Sequence, residues 1–164
     1  TKITRNEELS KAINRYKLFG IEADEPVVLM GLSRIDPGNY QFDPHFYQYG
    51  GAFLYPVGGF LFLGMKTGLL KLDLLPLSNW KISLNSLLNN PNNVDRIYIF
   101  GRSFVLICFV LSAWILSIIL KQFTTRTENL LLIAIYLFAP ASIMFSQIMK
   151  PHWYALIWIN ISLF

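Results

Sequence analysis

Polar and apolar positions are distributed very unevenly along this chain. Residues 1–49 interleave charged and apolar side chains, whereas long uncharged apolar runs dominate from residue 103 onward. The stretch 103–120 contains 18 residues without Lys, Arg, Asp or Glu, the stretch 129–149 contains 21, and 151–164 adds 14 more. A hydrocarbon core of about 30 Å requires about 20 apolar residues of helix. The first two runs therefore predict transmembrane helices at 103–120 and 129–149, and 152–164 reads as the start of another. The connector "KQFTTRTE" at 121–128 is short, so the two spans form a hairpin. That places 121–128 at one side of the membrane and Arg96, Arg102 and Lys150 at the other.

Upstream the pattern is weaker. Residues 7–19 predict a short helix. Pro26 suits the first turn of a second, because proline lacks the N–H that a first turn leaves unused, and Val27, Val28, Met30, Gly31 and Leu32 continue it. Pro37-Gly38-Asn39 is strong turn chemistry and ends it. The segment 46–65 is uncharged, but it holds five glycines and Pro56 together with Tyr47, Tyr49 and Tyr55. Glycine and proline are tolerated in membrane helices, and tyrosine favours the headgroup zone, so this segment either crosses the membrane or lies along its interface, as broken helices. Residues 71–96, with Pro76, Trp80 and the "NNPNN" run, read as a loop.

Composition reinforces the membrane reading. Of 164 residues, 54% are hydrophobic, above the roughly 45–50% usual for soluble domains. The formal net charge of +4 is scattered, with no basic cluster interleaved with stacking aromatics, which removes nucleic acid from the partners expected. Residues 1–49 carry six positive and seven negative side chains, a net of −1. The single cysteine, Cys108, lies in a predicted span, has no intrachain partner and reads as a small packing residue. Neither complete span contains an ionisable side chain facing a pathway, which argues against ion or proton transport. The first residue is Thr and the last falls inside an apolar run, so the sequence reads as a piece of a larger polytopic protein, with an earlier span expected upstream of Thr1.

Three places carry candidate chemistry. Asp24-Glu25 is an acidic pair next to the apolar segments. It is either a pair of solvated loop acids or a general base with its neighbour, Glu25 orienting the acceptor or raising the Asp24 pKa by like-charge repulsion. Lys150-Pro151-His152 ends a predicted span, as Arg102 does, and these cations either snorkel to headgroups or bind a phosphate. Asp43-Pro44-His45 and Tyr49 form a third polar corner. Two histidines and one cysteine make no zinc constellation, so no metal site is assigned; a divalent cation on Asp24, Glu25 and Asp43 is the oxygen-ligand arrangement left open. Asn160-Ile161-Ser162 matches a glycosylation sequon but falls in a predicted span, out of reach of a modifying enzyme.

The order of these features resembles the GT-C membrane glycosyltransferases, in particular the group of dolichyl-phosphate-mannose protein mannosyltransferases and lipid A aminoarabinose transferases. "EADEPVVLMGLSRID" looks like the opening of that family's large first loop. "FDPHFYQYGGAFLYPVGGFLF" is similar to the apolar, Tyr-rich stretch that follows, and "GRSFVLICFVLSAWILSIIL" and "LFAPASIMFSQIMKPHWYALIW" to the next spans. The resemblance covers residues 20–164 and rests on the order of short motifs. It implies an all-α polytopic membrane protein of GT-C type, multi-pass in a bacterial or archaeal plasma membrane rather than the endoplasmic reticulum. Residues 1–101 would form a large first extracytoplasmic loop with a juxtamembrane segment at 46–70, and 102–164 the transmembrane hairpin and a following helix.

The resemblance further implies a polyprenyl-phosphate sugar donor and a lipid, glycan or protein acceptor. Asp24 is then the base and Glu25 its neighbour. Lys150, His152 and Arg102 face the donor phosphate, and Asp43, His45 and Tyr49 belong to the acceptor region of the loop. Two departures stand out: His152 occupies a region where the family commonly carries an acidic residue, and no span precedes Asp24. If 46–65 lies along the membrane, Asp24 and His152 share one face; if it crosses, they are on opposite faces. The competing expectations are a non-catalytic multi-pass subunit and a transporter fragment.

Overall fold

The computed structural model describes residues 25–45, 48–72 and 91–163. The expected helix at 7–19, residues 73–90 of the expected loop at 71–96, and Asp24 lie outside the described residues. Six α-helices occur among those described: α1 (Glu25–Arg34), α2 (Gly50–Lys66), α3 (Pro91–Leu120), α4 (Arg126–Phe138), α5 (Pro140–Ser146) and α6 (His152–Leu163). A single 3-10 turn (Pro37–Asn39) and an isolated antiparallel bridge between Asp36 and Gln41 complete the described structure. The chain divides into two compact units, Thr1–Phe100 and Gly101–Phe164.

In the first unit, α1 starts where the sequence predicts, with Glu25 and Pro26 in its first turn. An acid there complements the positive end of the helix dipole. Its buried residues, Val28, Leu29, Gly31 and Leu32, recur at helical spacing and pack toward α2. The close approach depends on Gly58, where an added Cβ would stand 3.0 Å from the Leu32 side chain. α2 runs unbroken through Pro56 and buries Phe53, Leu54, Val57, Leu61 and Gly64. The segment expected either to cross the membrane or to lie along it as broken helices is one helix of 17 residues from Gly50, about 26 Å long at 1.5 Å per residue, shorter than a hydrocarbon core of about 30 Å. Phe60 stacks on Phe100 with ring centroids 4.7 Å apart, and the Arg96 Nη1 donates to the Lys71 carbonyl at 2.7 Å.

The expected loop at 71–96 ends earlier than the sequence reading placed it. α3 already begins at Pro91, because proline costs nothing in a first turn and buried Val94, Ile97 and Tyr98 extend the apolar stripe by one helical repeat. Arg102, read as the end of a span, consequently lies well inside a 30-residue helix. This helix, about 45 Å long, is long and apolar enough to cross a membrane.

The second unit packs α4 and α6 against α3. Ser117 bonds Asn129 and Ser112 bonds Tyr136. Residue numbers rise on one helix as they fall on the other, so α3 and α4 are antiparallel. Phe104 meets Tyr154 and Ser112 meets Asn160, so α6 runs parallel to α3. The expected single span at 129–149 is instead two helices, α4 and α5, bent by 57°. The break falls at Ala139, which is extended with ψ 131°, as a residue before proline tends to be; Pro140 then opens α5. Counted as one span, the bent pair is a second element long and apolar enough to cross a membrane. α4 starts with a full capping box: the Thr125 hydroxyl accepts from the Glu128 N–H, and the Glu128 carboxylate accepts from the Thr125 N–H at 2.8 Å.

Candidate functional site

The chemistry-bearing side chains of the first unit gather on the loop between α1 and α2. The turn at 36–41 is closed by reciprocal backbone bonds, Asp36 N–H to Gln41 O at 2.7 Å and Gln41 N–H to Asp36 O at 2.9 Å. Asn39 Nδ2 donates to Asp36 Oδ2 at 2.9 Å, and Tyr40 takes the left-handed conformation with φ 56°. Asp43 then captures His45 twice: the His45 N–H donates to Asp43 Oδ1 at 2.8 Å, and His45 Nδ1 stands 3.5 Å from Asp43 Oδ2. His45 is also left-handed, with φ 46°, a conformation unusual for a side chain with a Cβ and concentrated at functional sites.

Two bonds tether this loop to the helices. Arg34, the last residue of α1, donates from Nη1 to the His45 carbonyl at 2.8 Å. The Tyr55 hydroxyl of α2 donates to the Phe42 carbonyl at 3.0 Å. Beneath the loop lies an apolar cleft of about 440 Å³, walled by Leu32, Ile35, Pro37, Phe42, Leu54, Tyr55, Gly58, Gly59, Leu61, Phe62 and Met65. Beside it is an open polar depression of about 550 Å³ lined by Ser33, Arg34, Tyr40, Gln41, Phe42, Asp43 and His45. Phe42 borders both. Asp43 and His45 are thus brought together in the depression that Phe42 separates from the apolar cleft. Tyr49 is half-buried immediately ahead of α2. Glu25 is fully buried in the first turn of α1, so its carboxylate serves the helix start and its packed surroundings rather than standing in solvent.

The second unit holds the remaining predicted cations. Met149 seats on Gly101 in α3, where any Cβ would collide with its sulfur. The sequence neighbours Arg102 and Lys150 therefore lie at the same end of this unit. The Lys150 N–H turns back to the Ile148 carbonyl at 2.8 Å. His152 is exposed as the first residue of α6, its ring edge-on to Phe145 at 5.5 Å. Among the described residues, no three His, Cys, Asp or Glu side chains gather as metal ligands would.

Two groups escaped the sequence reading. Arg34 is one of the six positive charges of residues 1–49; its place just before the Asp36-Pro37-Gly38 turn is the signal that it can reach over that turn to the His45 carbonyl. The second is a buried polar node in the apolar helices. Ser112 Oγ lies 3.0 Å from the Tyr136 hydroxyl, and Asn160 Nδ2 donates to Ser112 Oγ at 3.1 Å and to Ser112 O at 3.2 Å. The asparagine of the apparent sequon is thus a packing residue, 7% exposed. Trp153 stands beside this node, its ring 4.5 Å from Phe109 and 5.7 Å from Tyr136. No protein-family model, curated protein or solved structure matches this chain.

Proposed function

We propose that this chain works in a membrane glycosyltransferase of the GT-C type, moving a sugar from a polyprenyl-phosphate donor to a hydroxyl or amine acceptor with inversion. The observation that carries the proposal is the apolar cleft of the first unit beside the polar depression lined by Arg34, Asp43 and His45. A slot for hydrocarbon beside a group of polar and ionic side chains is the chemistry of an amphiphilic substrate. A second unit whose helices bury polar atoms and expose apolar ones fits a bilayer. The motif order supplies the rest of the reading.

In the reaction, the acceptor hydroxyl or amine gives its proton to Asp24. Its oxygen or nitrogen forms a bond to the anomeric carbon, and the bond from that carbon to the phosphate oxygen breaks. The electron pair leaves with the polyprenyl phosphate. Arg102, Lys150 and His152 are the cations proposed to face that leaving phosphate, where positive charge stabilises the negative charge that develops.

The decisive variant is Asp24→Asn in the full-length protein, assayed for release of polyprenyl phosphate and appearance of glycosylated acceptor. Loss of a general base lowers turnover about 100-fold or more; unchanged turnover defeats the assignment. A non-catalytic membrane subunit is the second reading, favoured by the complete burial of Glu25, which withdraws one of the two loop carboxylates from solvent. Absence of sugar transfer by the wild-type protein with any lipid-linked donor, while it still assembles with a catalytic partner, establishes that reading instead.

A further inference from the structure

We infer that Phe42 is a latched gate between the apolar cleft and the polar depression of the first unit. Bonds from Arg34 and Tyr55 to its loop hold it shut, and it swings outward when they let go. The inference stands on the geometry of this loop and does not use the glycosyltransferase reading. Phe42 lines both spaces. It is 51% exposed, so it closes the cleft at the surface rather than filling a core. Turning it outward therefore gives up only part of an aromatic side chain's burial. With Phe42 out, the two spaces join into one trough, apolar along Leu54, Leu61 and Phe62 and polar at Ser33, Gln41 and Asp43.

The two halves of the loop are held in different ways. The turn at 36–41 is closed backbone to backbone, through the reciprocal bonds of Asp36 and Gln41. Residues 42–45 are tethered through side chains at the surface: Tyr55 to the Phe42 carbonyl, Arg34 to the His45 carbonyl, and the His45 N–H to the Asp43 carboxylate. Water competes for exposed bonds, so each contributes little by itself. A segment held in this way opens locally while the packed helices stay folded. The loop also carries strain. His45 sits at φ 46°, a sparsely populated conformation for a residue with a Cβ, which persists only where its surroundings impose it. Arg34 bonds the strained residue itself. Its release lets His45 relax, and that relaxation works toward opening. Tyr55 lines the cleft as well as bonding the Phe42 carbonyl, so the second tether joins the gate directly to the wall it covers.

The test is fluorine NMR of the full chain in neutral detergent micelles. Phe42, and in a second sample Phe62 on the cleft wall, is replaced by 4-trifluoromethylphenylalanine, and a soluble gadolinium chelate broadens whichever label meets solvent. The label at 42 is expected to show an inward population and a more strongly broadened outward one. In Arg34→Gln and in Tyr55→Phe the outward population should rise by about threefold or more, as loss of one such bond implies. Broadening of the label at 62 should rise in parallel, with helix content and thermal midpoint as in wild type. A signal at 42 that is unchanged in both variants overturns the gate. Movement at 42 with unchanged broadening at 62 also overturns it, because a ring that moves without uncovering the wall closes nothing. A rise at both positions that comes with a lowered thermal midpoint overturns it as well, since the unit as a whole would then be loosening.

Discussion

The two units place polar groups differently. In the first, loop side chains bond across the turn: Arg34 to His45 O, Tyr55 to Phe42 O, and Asn39 to the Asp36 carboxylate. Its interior covers Val28, Leu54, Val57 and Ile97 almost wholly and also takes in Glu25, Asp36 and Asn93. In the second, Ser112, Asn129, Ser142, Ser146 and Asn160 are buried, whereas Leu106, Val110, Trp114, Leu130, Ile135 and Phe138 are exposed. A soluble helical unit is apolar inside because water rejects hydrocarbon. Between helices in lipid that driving force is absent, so small residues and interhelical hydrogen bonds provide the attraction. The broad apolar exposure of the second unit goes with helices long and apolar enough to cross a membrane.

The sharpest way to break this contrast is to disturb the apolar contact on which the first unit depends. Any Cβ at Gly64 collides with the Phe100 ring, which is itself stacked on Phe60. Gly64→Leu is expected to destabilise by about 1–3 kcal/mol through overpacking, lowering the thermal midpoint and the tryptic resistance of residues 50–100. Equal resistance in wild type and variant would mean that this contact carries no weight.

The second unit should respond to loss of a hydrogen bond rather than of packing. Asn160→Leu removes the amide that joins α6 to Ser112 and leaves Ser112 and Tyr136 with each other. Interhelical bonds of this kind average about 0.6 kcal/mol and reach about 2, so an SDS titration in mixed micelles should shift by that amount. A gain in stability would place the unit in the aqueous class, where leucine is the better interior residue.

Capping sharpens the comparison at the start of α4. Thr125→Ala deletes the hydroxyl of the capping box and should cost about 1 kcal/mol, read as faster amide exchange at 126–129. The same exchange measurement should show little change elsewhere in the unit. The smallest effect is expected from Tyr55→Phe, which loses one exposed bond to Phe42 O. About 0.5–1.5 kcal/mol is expected locally, detected as increased exchange at 40–45 without a shift of the global midpoint.

Local chemistry made much of the architecture legible in the sequence. Pro26 marked the start of α1, Pro37-Gly38-Asn39 marked its stop, and the uncharged runs located the apolar helices. Boundaries that depend on packing were less visible. Asparagines around Pro91 read as a loop until Val94, Ile97 and Tyr98 are seen to be buried. The uncharged run at 129–149 concealed a 57° bend, because hydropathy averages over a proline that a helix must accommodate by breaking or kinking.

The candidate site divides along the same line. Residue type alone selected Asp43, His45 and Tyr49 as loop groups, and Lys150, His152 and Arg102 as cations bordering apolar runs, since charge and apolar length are properties of the chain itself. Only the tertiary structure placed Arg34 against His45, set their polar depression beside an apolar cleft, buried Glu25, and joined Ser112 to Asn160 across 48 positions of sequence. Each of these depends on which faces of separate helices meet. That choice is set by close approaches at glycines such as Gly58 and Gly101 and by hydrogen bonds whose two partners lie far apart in the sequence.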